Sequence, residues 1–412
     1  MMAWKRTMCR IAFASLALLV ALFLVRWVLE AGPGHLRGLP RALGHLGREQ
    51  NPAAGKGRPV WDVEVSNCTA DLSVMRHAWV LRSQARIRQF MLYRHCRYFP
   101  MLHNHPEKCA GDVYLLLAVK STLPRLDRRE AVRQTWGRER EAAGGRGAIR
   151  TLFLLGSNLG KVALDPYNYL LDLEDGVYQD ILQWDFLDSF FNLTLKEVNF
   201  LKWLEVFCPG VSFIFKGDDD VFVSPANLLE FLKERTPQDT FLVGEVLYGA
   251  IPIRIKRSKY YIPWALYNQT CYPPYVAGGG YLMTREMAHR LHLVSQTLEL
   301  YPIDDVFLGM CLQLLFVNPI PHEGFKSFGI SYDSKSYLNK DPCIYRSMMM
   351  VHKMQPEEML NMWRLVHGHL NCSHILRFYD PDAQEEENPQ GNMAHWVILY
   401  VLMYLVLIWI QK

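Results

Sequence analysis

The sequence predicts an α/β fold: a mainly parallel sheet flanked by helices, in a single folded domain behind an N-terminal membrane anchor and stem. Three observations carry that expectation. Short apolar runs at 113–119, 151–155 and 211–215 have the length of buried strands and alternate with segments of helical period. An acidic triplet follows the last run, where ligands gather beyond the carboxyl ends of parallel strands. A separate apolar run near the N-terminus is set off from the rest by a segment rich in Gly, Pro, Arg and Ala.

Residues 11–25 are continuously apolar or small, follow Lys5, Arg6 and Arg10, and resume at 27–29 after Arg26. About 19 residues at ~1.5 Å each nearly cross a hydrocarbon core of roughly 30 Å, and the basic flank favours a cytosolic N-terminus. The expected order is a cytosolic tail at 1–10, a signal anchor at 11–29, a stem at 30–60 and a lumenal domain at 61–375. A cleaved signal peptide is the other reading of 11–29, and either one delivers the chain to the secretory pathway. Half of the 412 residues are hydrophobic and 21% are charged, which suits a sizeable core. The formal net charge of +4, with several basic residues near the N-terminus, excludes a broad nucleic-acid footprint.

Of nine cysteines, only Cys9 precedes the anchor; Cys68, Cys96, Cys109, Cys208, Cys271, Cys311, Cys343 and Cys372 follow it, an even set that an oxidising lumen would allow to pair. No Cys/His spacing suggests zinc. Sequons at Asn67, Asn192, Asn268 and Asn371 agree with a lumenal location as glycosylation sites.

Within the domain, Thr194 and Glu197 have capping-box spacing ahead of Leu195, Val198, Leu201 and Leu204, which predicts a helix over 194–207. Pro209-Gly210 ends it, and Ser224-Pro225 starts another helix through Leu232. Between strand and helix stands Gly217-Asp218-Asp219-Asp220. Neighbouring carboxylates repel unless a cation or water screens them, so Asp218 and Asp220 are candidate ligands for Mg²⁺ or Mn²⁺, with a solvated turn or helix cap as the alternative. A second pair, Asp304-Asp305, opens an apolar helical run; one acid can cap it while the other serves as a general base.

Gly278-Gly279-Gly280 follows Tyr272-Pro273-Pro274-Tyr275, a backbone able to approach a ligand beside aromatic rings, or else a turn with unusual dihedrals. Lys120, Arg129 and Arg133 are cations that could meet a diphosphate or simply face solvent. His352 is either an imidazole metal ligand or a packing residue.

Read together, these segments resemble the beta-1,3-glycosyltransferase family of beta-1,3-galactosyl- and beta-1,3-N-acetylglucosaminyltransferases. The ordered matches are Arg128-Arg129-Glu130-Ala131-Val132-Arg133-Gln134-Thr135-Trp136-Gly137, Phe191-Asn192-Leu193-Thr194-Leu195-Lys196, Phe215-Lys216-Gly217-Asp218-Asp219-Asp220-Val221-Phe222, the Tyr272 to Gly280 segment, and Asp304-Asp305-Val306 ahead of Gly309. Tyr93-Arg94-His95-Cys96-Arg97-Tyr98-Phe99-Pro100 looks most like the N-acetylglucosaminyltransferase branch.

The resemblance implies a GT-A-type fold, a Golgi type II membrane enzyme, and inverting transfer from UDP-GlcNAc to a beta-galactose-terminated acceptor of lactosamine or keratan type. It further implies Asp218, Asp220 and His352 around Mn²⁺ or Mg²⁺ and Asp305, beside Asp304, as the base. Lys120, Arg129, Arg133, Asp218, Asp219, Gly278, Gly279 and Gly280 would then bind the donor. A beta-1,3-galactosyltransferase and a non-catalytic lumenal UDP-sugar or glycan-binding protein are the alternatives. One departure is an acidic linker and uniformly apolar tail at 376–412, past the family's usual end. Its apolar part, about 15 residues, would span roughly 22 Å, short of a full hydrocarbon core. A second membrane contact, a processed tail and a misassigned gene end are the three readings, the last preferred.

Overall fold

A computed structural model describes residues 60–372, apart from 66–67, 143, 159–165, 332 and 334. The expected anchor, the stem up to residue 59, the apolar tail and the Asn67 sequon lie outside these residues. Among the described residues no helix is long and apolar enough to cross a membrane.

After helix α1 (Ala85–Tyr93) and edge strand β1 (Met101–His103), the chain enters the middle of a nine-stranded sheet at β2 (Val113–Lys120). All eight β2 residues are buried, so the run reads as continuous rather than alternating apolar sequence. The pleat still sorts them: Leu116 and Ala118 enter one core, while Leu115, Leu117 and Val119 enter the core on the other face.

Helix α2 (Leu126–Gln134) and the short β3 (Arg140–Glu141) lead to β4 (Ala148–Ser157), and α3 (Pro166–Tyr178) leads to β5 (Ile181–Leu187). Helix α4 (Leu193–Phe207) then crosses back to β6 (Phe213–Asp218). Strands β5, β4, β2 and β6 are mutually parallel in that order. Because the chain steps outward from β2 to β4 and β5 and then returns to β2's other side, a crevice opens beyond the carboxyl ends of β2 and β6. Register pairs Lys120 with Asp218 there.

Past β6 the chain forms β7 (Val221–Val223), α5 (Pro225–Phe231), β8 (Leu242–Leu247) and β9 (Tyr275–Thr284). Strand β9 runs antiparallel to both β6 and β8, so the sheet is mixed rather than mainly parallel. The expectation erred because Gly278-Gly279-Gly280 concealed this strand. These three glycines are β9's middle and none has a positive φ, so the turn reading is also set aside. Helices α6 (Arg285–Ser295) and α7 (Asp304–Leu314) follow, then β10 (Ile320–Pro321), β11 (Phe325–Lys326), α8 (Pro342–Ser347), β12 (Met350–His352) and α9 (Pro356–Val366). Strands β11, β12 and β7 make a small second sheet, and the β12–β7 register sets His352 against Val221, next to Asp220.

Helix α4 begins at Leu193 without the expected capping box. Thr194 Oγ1 donates to the Tyr301 carbonyl at 2.6 Å, and Glu197 is fully buried against Lys216 while accepting from the Tyr281 hydroxyl at 2.9 Å. Both side chains serve interior bonds because α4 is covered on most sides. The expected Ser224 cap is present: its side chain accepts from the Asn227 N–H.

Six of the expected eight cysteines pair, as Cys68–Cys96, Cys109–Cys208 and Cys343–Cys372, leaving Cys271 exposed and Cys311 buried as thiols. Asn268 and Asn371 are exposed, whereas the Asn192 amide donates to the Leu187 carbonyl at 2.8 Å and its sequon partner Thr194 is buried.

Candidate active site

The ends of β2, β6 and β12, the middle of β9 and the start of α7 line one cleft of about 920 Å³. Strand β6 delivers the acidic triplet to its floor. Asp218, Asp220 and His352 each present a ligand atom, all within 4.8 Å of one another. His352 Nε2 lies 2.9 Å from Asp220 Oδ1 and 3.5 Å from Asp218 Oδ2. Its Nδ1 sits 3.0 Å from the Ser327 carbonyl, which can only accept, so Nδ1 carries a proton and Nε2 is the nitrogen turned to the carboxylates. The ring fits there because β9 has no side chain at Gly279, where a Cβ would lie 2.9 Å from Nδ1. Burial disfavours a charged His352, but the Asp220 and Asp218 carboxylates outweigh it and raise its pKa. Burial also opposes Asp220 ionisation, yet His352 and Arg128 hold that carboxyl at about 2.

Lys120 joins this group to the second acidic pair. Its Nζ donates to the Gly278 carbonyl at 3.1 Å and pairs with Asp218 at 3.0 Å and Asp304 at 3.1 Å. Helix α7 brings its first turn this close to β9 because Gly309 lacks a side chain; a Cβ there would meet Tyr275 Cβ at 2.6 Å.

The adjacent acids take opposite characters. Burial works against an ionised Asp304, but Lys120 and Lys216 prevail and lower its pKa. Asp305 is half-buried on the cleft wall, and burial together with the Asp304 charge pushes it up to about 7. Its Oδ1 accepts from the Val306 N–H at 2.8 Å, and the residue before both acids, Ile303, is the helix cap. A carboxylate with a raised pKa beside one kept ionised is an arrangement able to support acid–base chemistry.

The structure also separates residues grouped by sequence. Arg129 and Arg133 do not line the cleft. Arg129 is buried in a two-pronged contact with Glu174 at 2.7 and 2.6 Å, and Arg133 is held by Glu174 at 2.7 Å and Asp180 at 2.8 Å. Their four-residue spacing does put them on one helix face, but that face looks into α3. Arg125 and Arg128, three apart, face the acidic triplet instead: Arg128 contacts Asp220 at 2.7 Å and Asp219 at 3.2 Å.

Asp219 is buried, accepts from Ser121 Oγ at 2.7 Å and anchors the loop after β2. Gly280 faces Phe215 and Met350 rather than the cleft, while Gly278 and Gly279 do line it. Tyr272 and Tyr275 line it as well, together with Tyr260 and Phe190. Lys196, which closes one of the matched segments, was given no role from the sequence: buried, it donates to the Ser121 carbonyl and pairs with Asp188 at 2.9 Å. The amphipathic period gave no hint of it, because α4 is buried around most of its circumference.

The galactosyltransferase family profile matches residues 127–323. A rat protein named UDP-GlcNAc:betaGal beta-1,3-N-acetylglucosaminyltransferase 7 is 53% identical over 391 residues, covering 90% of this chain and 98% of the relative. Human N-acetyllactosaminide beta-1,3-N-acetylglucosaminyltransferase 3 is 43% identical over 76% of this chain and 84% of its own. A mouse acetylgalactosaminyl-O-glycosyl-glycoprotein beta-1,3-N-acetylglucosaminyltransferase is 42% identical over 80% and 85%.

Proposed function

The chain belongs to the beta-1,3-glycosyltransferase family and is a transferase, and from that premise we propose that it moves N-acetylglucosamine from UDP-GlcNAc onto a beta-galactose-terminated acceptor of lactosamine type. The observation that supports this reading is the Lys120 bridge, which joins the Asp218, Asp220 and His352 group to the Asp304-Asp305 pair in one cleft. The crevice at the strand-order reversal is read as that of a GT-A-type fold. Three disulfides support a lumenal, oxidising location, and we read the protein as a Golgi type II membrane protein.

Asp218, Asp220 and His352 suit a divalent cation, because two hard oxygens and a fixed imidazole nitrogen converge within 4.8 Å. They would hold Mn²⁺ or Mg²⁺. When bound, the ion supplies positive charge to the departing diphosphate. Asp305 takes the proton of the acceptor hydroxyl as that oxygen attacks the anomeric carbon of the donor sugar. The bond from that carbon to the diphosphate oxygen breaks, its electron pair leaves with UDP, and the single displacement inverts the centre. Asp304 stays ionised against Lys120, so its charge keeps Asp305 basic at neutral pH. Tyr272 and Tyr275 offer ring faces to a sugar.

The test is a donor and acceptor panel on the full chain in detergent with Mn²⁺, with product linkage read by NMR. A beta-1,3-linked N-acetylglucosamine on a galactose end is expected. Transfer from UDP-galactose alone would replace the donor assignment, and metal-dependent UDP affinity without any product would make the chain a binding protein.

A further inference from the structure

We propose that Lys353 is the cation that meets the diphosphate of the donor nucleotide, an inference that rests on the UDP-sugar reading above. The cleft is crowded with acids: Asp188, Asp218, Asp219, Asp220, Asp304 and Asp305 all line it. A nucleoside diphosphate entering it needs positive charge beyond one divalent ion.

Most cations at hand are already committed. Lys120 spends its donors on Asp218, Asp304 and the Gly278 carbonyl. Lys196 is taken by Asp188 and the Ser121 carbonyl, Arg128 by Asp219 and Asp220, and Arg125 reaches Asp219 at 3.5 Å. Lys259 lies over the Phe190 and Tyr260 rings, at 5.2 and 4.8 Å from their centroids, on a different segment from the triplet. Lys353 is exposed, lines the cleft and makes no ion pair among the described residues, its Nζ standing 5.7 Å from the Phe328 centroid.

Its backbone ties it to the cation-binding group. Lys353 follows His352, and the Lys353 and Met354 N–H groups both donate to the Asp220 carbonyl, at 3.0 and 2.9 Å. This strap holds Lys353 at φ +77°, a left-handed conformation that is strained for a residue with a side chain. Glycine would make the same turn without strain, so the turn leaves the long cationic side chain unexplained. An ammonium with three donors on a flexible stem, carried into the cleft by the residue that follows His352, suits a phosphate oxygen as a point charge.

That distinction sets the experiment, which uses the full chain in detergent with Mn²⁺ and calorimetric titration of UDP and of uridine. Lys353→Gly removes the side chain while relaxing the backbone, and is expected to melt no lower than the wild type. Its UDP affinity should fall about tenfold or more, the size of a lost charge-assisted contact, with uridine affinity unchanged. Lys353→Arg should keep most UDP affinity. Unchanged UDP affinity in Lys353→Gly would overturn the proposal, and so would equal losses for UDP and uridine, which mean a distorted pocket. If the wild-type chain itself fails to bind UDP with Mn²⁺, the nucleotide reading falls instead.

Discussion

Lys120 and Asp304 pair at 3.1 Å across the cleft floor, and the same ammonium reaches Asp218 at 3.0 Å, so one buried cation serves both acidic motifs. Removing it would leave Asp304, 7% exposed, without its main counter-charge. Lys120→Met is therefore expected to cost about 3–5 kcal/mol, the penalty for orphaning a buried charge. The double variant Lys120→Met/Asp304→Asn should recover part of that loss in urea unfolding. A double variant no more stable than the single one would show that Asp304 is not the group left stranded.

Asp305 carries two linked expectations. As the base it must be ionised, so kcat/KM should fall about tenfold per unit as pH drops below about 7. Asp305→Asn should lower kcat by ~10²- to 10⁴-fold and leave UDP affinity unchanged. Asp304→Asn, made alongside, distinguishes the pair: near-normal turnover in Asp305→Asn with a dead Asp304→Asn would transfer the role to Asp304.

The same carboxyl predicts how stability varies with pH. Its folded pKa is raised, so its stabilising contribution is full below the ordinary carboxylate range and is lost as pH rises through about 7. Asp305→Asn should thus be more stable than the wild type at about pH 8, with the gap closing toward about pH 5, in metal-free thermal unfolding. A constant gap across that range would contradict the assignment.

Two neighbouring glycines should behave differently. A Cβ at Gly279 would lie 2.9 Å from His352 Nδ1, whereas one at Gly278 would lie 3.4 Å from Asp305 Oδ2, an ordinary contact. Neither has a positive φ, so alanine suits both backbones. Gly279→Ala should weaken Mn²⁺-dependent UDP binding by about tenfold or more as the imidazole is displaced, while Gly278→Ala leaves it within about twofold. Titration of UDP into each variant decides between them.

His105 offers a pH test away from the cleft. Its ring nitrogens face Glu107 at 2.7 Å and Asp175 at 2.8 Å, and only imidazolium can donate to both. Burial lowers its pKa, but the two carboxylates more than compensate and raise it. Its contribution is full below the ordinary histidine value and declines as pH rises through the elevated one. The wild type should lose thermal stability between about pH 6 and pH 8 more steeply than His105→Asn. Parallel melting profiles would rule the clamp out.

Strands β2, β4 and β6 were legible because each holds a short apolar run, as strands buried on both faces commonly do, and the triplet at β6's end was legible because three adjacent carboxylates need a cation or water nearby. The acid pair and His352 could be nominated on residue type and family likeness. Their grouping could be expected only from the family likeness and not from the residues themselves, since it depends on contacts between residues far apart in the chain: Lys120 reaching Asp304, and β12 pairing with β7 to set His352 beside Asp220. The direction of each arginine was also a tertiary decision. A helical period states which residues share a face, as Arg129 and Arg133 do, but only packing against α3 decides that this face is buried on Glu174 while Arg128 turns to the triplet.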